Sequence, residues 1–290
     1  MNGVLCYLAV NKIPNLPRIA ISNALAHTSS DIYIGYLNLD DLNDLPNSPR
    51  LHFVDLSEAA ATRGLRDTSE RYVDFSQDYF FQLVQLKWDL FRLVGSISNA
   101  EFIIYSDLDV VILKDVILEF DKLFLENPDI HVAVQDFTHS ISEPRLCMGV
   151  FAFRNNAEIA SIIRECSSIH QEGLTVNSRY GDDDVITQYY VTHGRDNRIF
   201  LLPQQSFPVG NLVNLFMPYS PLRGLRPDSP FVFHANFVVG SRKKEFLLNL
   251  ILARVHVHSS LRIPLIYFKL SAFQLMPFLK RILRKLNSAK

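Results

Sequence analysis

Two aspartates, Asp107 and Asp109, close the apolar run FIIYS in FIIYSDLDVVIL (102–113), and His234 closes a second one in FVFHANFVVGSRKKEF (231–246). An isolated ionised carboxylate is costly to bury, so a strand end with two of them calls for water, a basic partner or a metal ion. Carboxylate oxygens and a neutral imidazole are competent ligands for Mn²⁺ or Mg²⁺, whose open positions take phosphate oxygens. Alternate residues of an extended chain face opposite sides, so both aspartates serve one ion only where the chain turns. The spacing alone also suits a solvated strand end, and a lone strand-end histidine is more often structural. Asn236, Gly240 and Lys243 follow His234. Gly240 lets the backbone approach a phosphate, and Lys243 supplies a point charge for a diphosphate.

The elements that must position these residues alternate along the chain. VLCYLAV (4–10), DIYIGYL (31–37), LHFVDL (51–56), FIIYS (102–106), HVAVQ (131–135), GVFAF (149–153), RIFLLP (198–203) and FVFHA (231–235) have strand character. Between them, 16–28, 78–97, 156–170 and 184–194 have helical character. The 78–97 segment is apolar nearly all round, which predicts one buried helix, and Lys87 among its apolar stripes must snorkel or meet an anion. Such alternation predicts an α/β fold with a central, largely parallel sheet, in which ligands sit outside the carboxyl ends of strands.

The 290 residues, 48% of them hydrophobic, suffice for one large domain, expected over 1–250, with an extension over 251–290. Cys6, Cys147 and Cys166 are far apart without metal-ligand spacing, and the first residues lack a signal-peptide core, which favours a reducing, cytoplasmic setting. No uncharged apolar run reaches the length of a membrane span. The net charge of −1 conceals a basic tail, since residues 241–290 hold 11 Lys and Arg against one acid. PFLKRILRKLNSAK (277–290) separates apolar and basic faces at helical spacing, the pattern of an interfacial helix on the anionic inner face of a membrane, although a C-terminal helix packed on the domain has the same pattern. Nucleic acid is not an expected partner. No GxxxxGK[ST] or GxGxxG is present, so the P-loop and dinucleotide routes to phosphate lack support.

The runs LKWDLFRLVGSISNAEFIIYSDLDVVIL (86–113), CMGVFAFRN (147–155), GDDDVITQYY (181–190), LPQQSFPVGN (202–211) and FHANFVVGSRKK (233–244) occur in an order and spacing that resembles the nucleotide-diphospho-sugar transferases. These are GT-A glycosyltransferases of the retaining, DxD-containing kind, similar to plant cell-wall xylosyl- and galactosyltransferases and more distantly to glycogenin. The resemblance covers roughly residues 1–250 and implies a GT-A, Rossmann-like mixed sheet flanked by helices. It implies Mn²⁺ (or Mg²⁺) held by Asp107, Asp109 and His234, and a UDP-sugar donor whose base sits against Ala9, Val10 and Asn11. Donor contacts would come from Lys87, Ser106, Asp107, Gly149, Gly210, Asn236, Gly240 and Lys243, and the acceptor would be a glycan or lipid-linked. Where the family often has Asn before a glycine, this chain has Cys147-Met148-Gly149, and the usual Asp-Gln is replaced by Asp182, Asp183 and Asp184.

Breaking a sugar–phosphate bond calls for cationic stabilisation of the leaving diphosphate and a carboxylate near the cation-like sugar carbon. Asp183 and Asp184 are the candidates for that carboxylate, and first-turn acids are equally ordinary helix caps. Gly149 and Gly210 equally suit a bulge or turn. Two other functions share some of these signals. DLDVV fits the Asp-x-Asp-x-Val nucleophile motif of haloacid-dehalogenase-type phosphatases, and a non-catalytic membrane adaptor with a transferase fold would account for the basic tail.

Overall fold

Residues 1–10, 15–38, 42–65, 73, 76–136, 145–193, 198–204, 206–209, 230–236 and 241–256 are described by this computed structural model. Asn11, Gly210, Gly240 and the basic segment 277–290 lie outside them.

The apolar runs form β1 (Gly3–Ala9), β2 (Ile32–Tyr36), β3 (Leu51–Asp55), β4 (Phe102–Ser106), β6 (Val132–Asp136), β7 (Leu146–Arg154) and β8 (Ile199–Leu202), joined as one sheet in the order β3-β2-β1-β4-β7-β6-β8. Every pairing is parallel except the two made by β7, which runs against β4 and β6. β1, β4 and nearly all of β7 are buried, which is why their sequences are continuous apolar runs without polar alternation. A second, two-stranded sheet pairs β5 (Val110–Ile112) with β9 (Val232–His234) antiparallel, in the register Val110↔His234.

The helices are α1 (Leu16–His27), α2 (Ser57–Thr62), α3 (Asp78–Leu83), α4 (Leu86–Ile97), α5 (Val116–Glu126), α6 (Ala157–Val176), α7 (Asp182–Thr192) and α8 (Ser241–His256). The single helix expected over 78–97 is two. The chain tightens at Val84 and Gln85, where Lys87 and Trp88 donate their N–H groups three residues back to Val84 and Gln85. Leu86, Trp88, Leu90, Phe91 and Val94 of α4 bury their side chains. The chain clusters into two units, Met1–Leu248 and Asn249–Lys290.

The Trp88 indole N–H donates to His170 Nδ1 at 2.9 Å, and His170 Nε2 lies 3.1 Å from the Tyr180 carbonyl, so the ring is neutral with its proton on Nε2. Burial, partly opposed by Asp182, holds its pKa down to about 4 against an ordinary 6.5. A histidine kept neutral in the fold stabilises it fully above pH 6.5 and loses that contribution as pH falls toward 4. Urea titrations should therefore show wild type losing about 2 kcal/mol of stability between pH 7.5 and pH 5 beyond any loss in His170→Gln. Parallel pH profiles for the two proteins would refute this.

Candidate metal and nucleotide-sugar site

β4 ends at Ser106, and the chain turns at once, with Val110 donating its N–H to the Asp107 carbonyl at 3.1 Å. This is the turn that two alternating carboxylates need if they are to face one ion. After it, β5 runs beside β9, and the Ala235 N–H donates to the Asp109 carbonyl at 2.9 Å, which fixes His234 against the turn. His234 Nε2 lies 3.2 Å from Asp109 Oδ1 and 3.9 Å from Asp107 Oδ2. One ligand atom from each of the three residues fits within a span of 4.8 Å. Two carboxylates and an imidazole within that span fit a hard or borderline divalent cation such as Mn²⁺ or Mg²⁺.

Two lysines compensate the acids. Lys87, 3% exposed, places Nζ 3.0 Å from Asp107 Oδ1 and 2.5 Å from Asp182 Oδ2. Burial works against its charge, but Asp107, Asp182 and Tyr105 outweigh it and hold the pKa well above the ordinary value. The lysine among apolar stripes thus meets anions, as its position requires. The Tyr105 hydroxyl also donates to Asp107 Oδ1 at 2.7 Å, so two groups engage that oxygen while Oδ2 faces His234. On the other side, Lys244 Nζ lies 2.5 Å from Asp109 Oδ2. Burial would raise the pKa of Asp109, but Lys244 and His234 depress it well below the ordinary range, so the buried carboxylate stays ionised. In the run Arg242-Lys243-Lys244 it is Lys244 that reaches the acids, while Lys243 is exposed.

The wall opposite comes from β7. Between the pairs Val134↔Phe151 and Gln135↔Cys147 the ladder slips, so Met148, Gly149 and Val150 bulge from it. Three of the freed backbone groups find partners within the site. Met148 N–H donates to Asp183 Oδ1 at 2.6 Å, and Val150 N–H to Gln135 Oε1 at 2.8 Å. The Gly149 carbonyl accepts from Asp107 N–H at 2.8 Å. Gly149 is required by close approach, because a Cβ there would lie 2.0 Å from Cε1 of His234.

The three acids of GDDD have separate jobs. Asp182 pairs with Lys87, Asp183 holds the bulge, and Asp184 Oδ2 accepts Gly181 N–H at 2.9 Å and caps α7. Burial, reinforced by Asp182, raises the Asp183 carboxyl well above the usual range.

These groups face a cavity of about 690 Å³ lined by Val10, Lys87, Asp107, Asp109, Asp183 and Asn236 among others, with Asp184, Cys147 and Lys244 also in its wall. Ala9, Ser106, Gly149, His234 and Lys243 do not line it. Ala9 is buried in the pairing of β1 with β2, Ser106 is 2% exposed, and Gly149 and His234 pack on each other. The sequence alone assigns no site role to Tyr105, Gln135, Asp182 or Lys244; of these, Gln135 and Asp182 carry a visible signal, a polar residue ending an apolar strand and an acid opening a helix.

No protein-family model and no curated protein sequence matches the chain. Solved structures do. Galactosyltransferase LgtC in complex with donor and acceptor sugar analogues aligns with a TM-score of 0.54 at 14% identity, covering 89% of this chain and 98% of that one. A glycosyltransferase involved in the glycosylation of the major capsid of PBCV-1 aligns at 0.52 and 10% identity, covering 86% and 100%. Mouse xyloside xylosyltransferase 1 aligns at 0.50 and 11%, covering 81% and 97%. The chain therefore has the GT-A fold, a mixed, mostly parallel sheet flanked by helices.

Proposed function

We propose that this protein is a metal-dependent glycosyltransferase that moves a sugar from a nucleotide diphosphate, UDP-linked, to a glycan or lipid-linked acceptor with retention. The observation that carries this reading is the gathering of Asp107, Asp109 and His234 at the carboxyl end of β4, beside a large cavity in a GT-A fold. Asp107, Asp109 and His234 would hold Mn²⁺ or Mg²⁺, which when bound supplies positive charge to a diphosphate.

The chain's own groups do the rest. Lys244, already within the acidic cluster, is placed to follow a diphosphate's charge, and the exposed Lys243 is the second candidate for that contact. Val10 at the end of β1 offers an apolar seat for a base, with Ala9 behind it and Asn11 next along the chain. Asn236 borders the donor side directly, Ser106 and Gly149 lie behind the lining, and Gly210 and Gly240 remain candidates for donor contacts from the sequence alone. Lys87 bridges Asp107 and Asp182 and holds both carboxylates in place. Asp183 borders the cavity and is the acid best placed to meet a sugar, whereas Asp184 is spent on its helix cap.

Neither alternative accounts for this geometry. As a phosphatase nucleophile, Asp107 would have Oδ1 engaged by both Lys87 and Tyr105, and its strand would be the fourth of the chain. An adaptor would have no need of the clustered triad. The test is a screen of nucleotide sugars with Mn²⁺, scored by released nucleoside diphosphate, beside phosphomonoesters scored by phosphate. Phosphate release without sugar-dependent nucleotide release would favour the phosphatase.

No helix among the described residues is long and apolar enough to cross a membrane. A basic extension over 251–290, following a catalytic domain over 1–250, would attach the protein peripherally to the anionic, cytoplasmic face of a membrane, a reading supported by the seven Lys and Arg and no acid between 262 and 290. The intact chain should co-sediment with anionic but not neutral liposomes, salt should weaken the association, and ending the chain at Met276 should abolish it while preserving UDP binding. Loss of UDP binding on truncation would place the segment in the catalytic fold.

A further inference from the structure

His234 faces the two carboxylates with one ring nitrogen and a sulfur with the other. Nε2 lies 3.2 Å from Asp109 Oδ1, and Nδ1 lies 4.0 Å from Cys147 Sγ. The imidazole packs over Gly149 of β7, its Cε1 and Nδ1 the atoms nearest that glycine, and the same Nδ1 faces the Cys147 sulfur. Cys147 is 2% exposed, and its sulfur already has other donors. Asn236 Nδ2 donates to it at 3.5 Å, and the Gly149 N–H also bonds to it. Convergent N–H groups from two elements make it an acceptor, a role open to a cysteine sulfur.

A metal-ligating imidazole binds through an unprotonated nitrogen and carries its proton on the other, where a hydrogen-bond partner fixes tautomer and ring orientation. With the three residues free of a cation, an Nε2–H suits the contact with Asp109. With a cation bound, the proton belongs on Nδ1, the nitrogen that faces Cys147. We propose that Cys147 is the positioning residue of His234, its sulfur accepting from Nδ1–H and so keeping Nε2 open toward the bound cation. This rests on the metal reading of the triad. It gives a function to the cysteine that had no ligand partner in sequence, without making it a ligand.

The test uses the full chain and Mg²⁺, a diamagnetic probe, with nitrogen shifts of the His234 ring assigned by their loss in His234→Gln. Mg²⁺ should leave the ring protonated on Nδ1. Cys147→Ala should weaken Mg²⁺ binding 10- to 100-fold, the range for losing the partner of a ligating histidine, and should erase the tautomer preference. Cys147→Ser, which keeps an acceptor, should restore binding to within about threefold of wild type. Co²⁺ in the wild-type site should show no thiolate charge-transfer absorption. A ring that keeps its proton on Nε2 with Mg²⁺ bound, a Cys147→Ala protein that binds like wild type, or a thiolate–cobalt band would each overturn the proposal. If Cys147→Ala does not fold, the wild-type nitrogen shifts and Cys147→Ser decide. Failure of wild type to bind any divalent cation would instead remove the metal reading itself.

Discussion

Asp109→Asn is expected to reduce cation-dependent nucleoside diphosphate release by on the order of 10²- to 10³-fold while the chain remains folded. Asp109 is the better enclosed of the two carboxylates, 7% exposed, with Lys244 and His234 on its two oxygens. An amide of the same shape keeps one acceptor for those donors but removes the charge that a divalent cation needs. The variant should also shift Lys244, whose ammonium loses its carboxylate. Circular dichroism and cation titration together check the outcome. Retained activity with unaltered cation affinity would remove Asp109 from the metal set.

Gly149→Ala should be as damaging although it adds one methyl group. The added carbon would meet Cε1 of His234 at 2.0 Å, Nδ1 at 2.5 Å and Nε2 at 2.9 Å, closer than any side chain tolerates. The ring cannot retreat cheaply, since it is 2% exposed and its own backbone is held by the β5–β9 pairing. Overpacking of this kind costs about 1–3 kcal/mol of stability. The larger effect is on the site, because a displaced imidazole leaves the carboxylates without their nitrogen partner, and cation affinity should fall by about 100-fold or more. Titration with Mn²⁺ beside a thermal melt distinguishes the two losses. A Gly149→Ala protein with wild-type cation affinity would show either that the ring tolerates the methyl group or that His234 is not a ligand.

Much of this site is legible in the sequence because burial is costly for charge. Asp107, Asp109, His234 and Lys87 each stand out as a polar group ending or interrupting an apolar run, and each meets an opposite charge or a ligating neighbour. What the sequence does not disclose is direction and register. Nothing in LCMGVFAFR distinguishes an antiparallel β7 from a parallel strand, since both faces are buried and the run is apolar either way. The choice between Lys243 and Lys244 depends on about 100° of helix rotation, which two adjacent identical residues cannot reveal. The three aspartates of GDDD likewise separate only when α7 is placed against β7, where Met148 N–H selects Asp183 and the helix start selects Asp184. The break between α3 and α4 is hidden because Val84 and Gln85 are compatible with a continuous helix, and the tightened turn shows only in their hydrogen bonds. The small β5–β9 sheet joins segments more than a hundred residues apart in a pairing of three residues, too short for a sequence pattern of its own.

Calorimetric titration of UDP into the protein, with and without Mn²⁺, tests most directly the claim that Asp107, Asp109 and His234 form a cation-dependent nucleotide-diphosphate site. The account predicts UDP binding with Mn²⁺ present, its loss on chelation, and its loss in Asp109→Asn with Mn²⁺ restored. Equal UDP binding with and without the cation, or no binding under either condition, would contradict it.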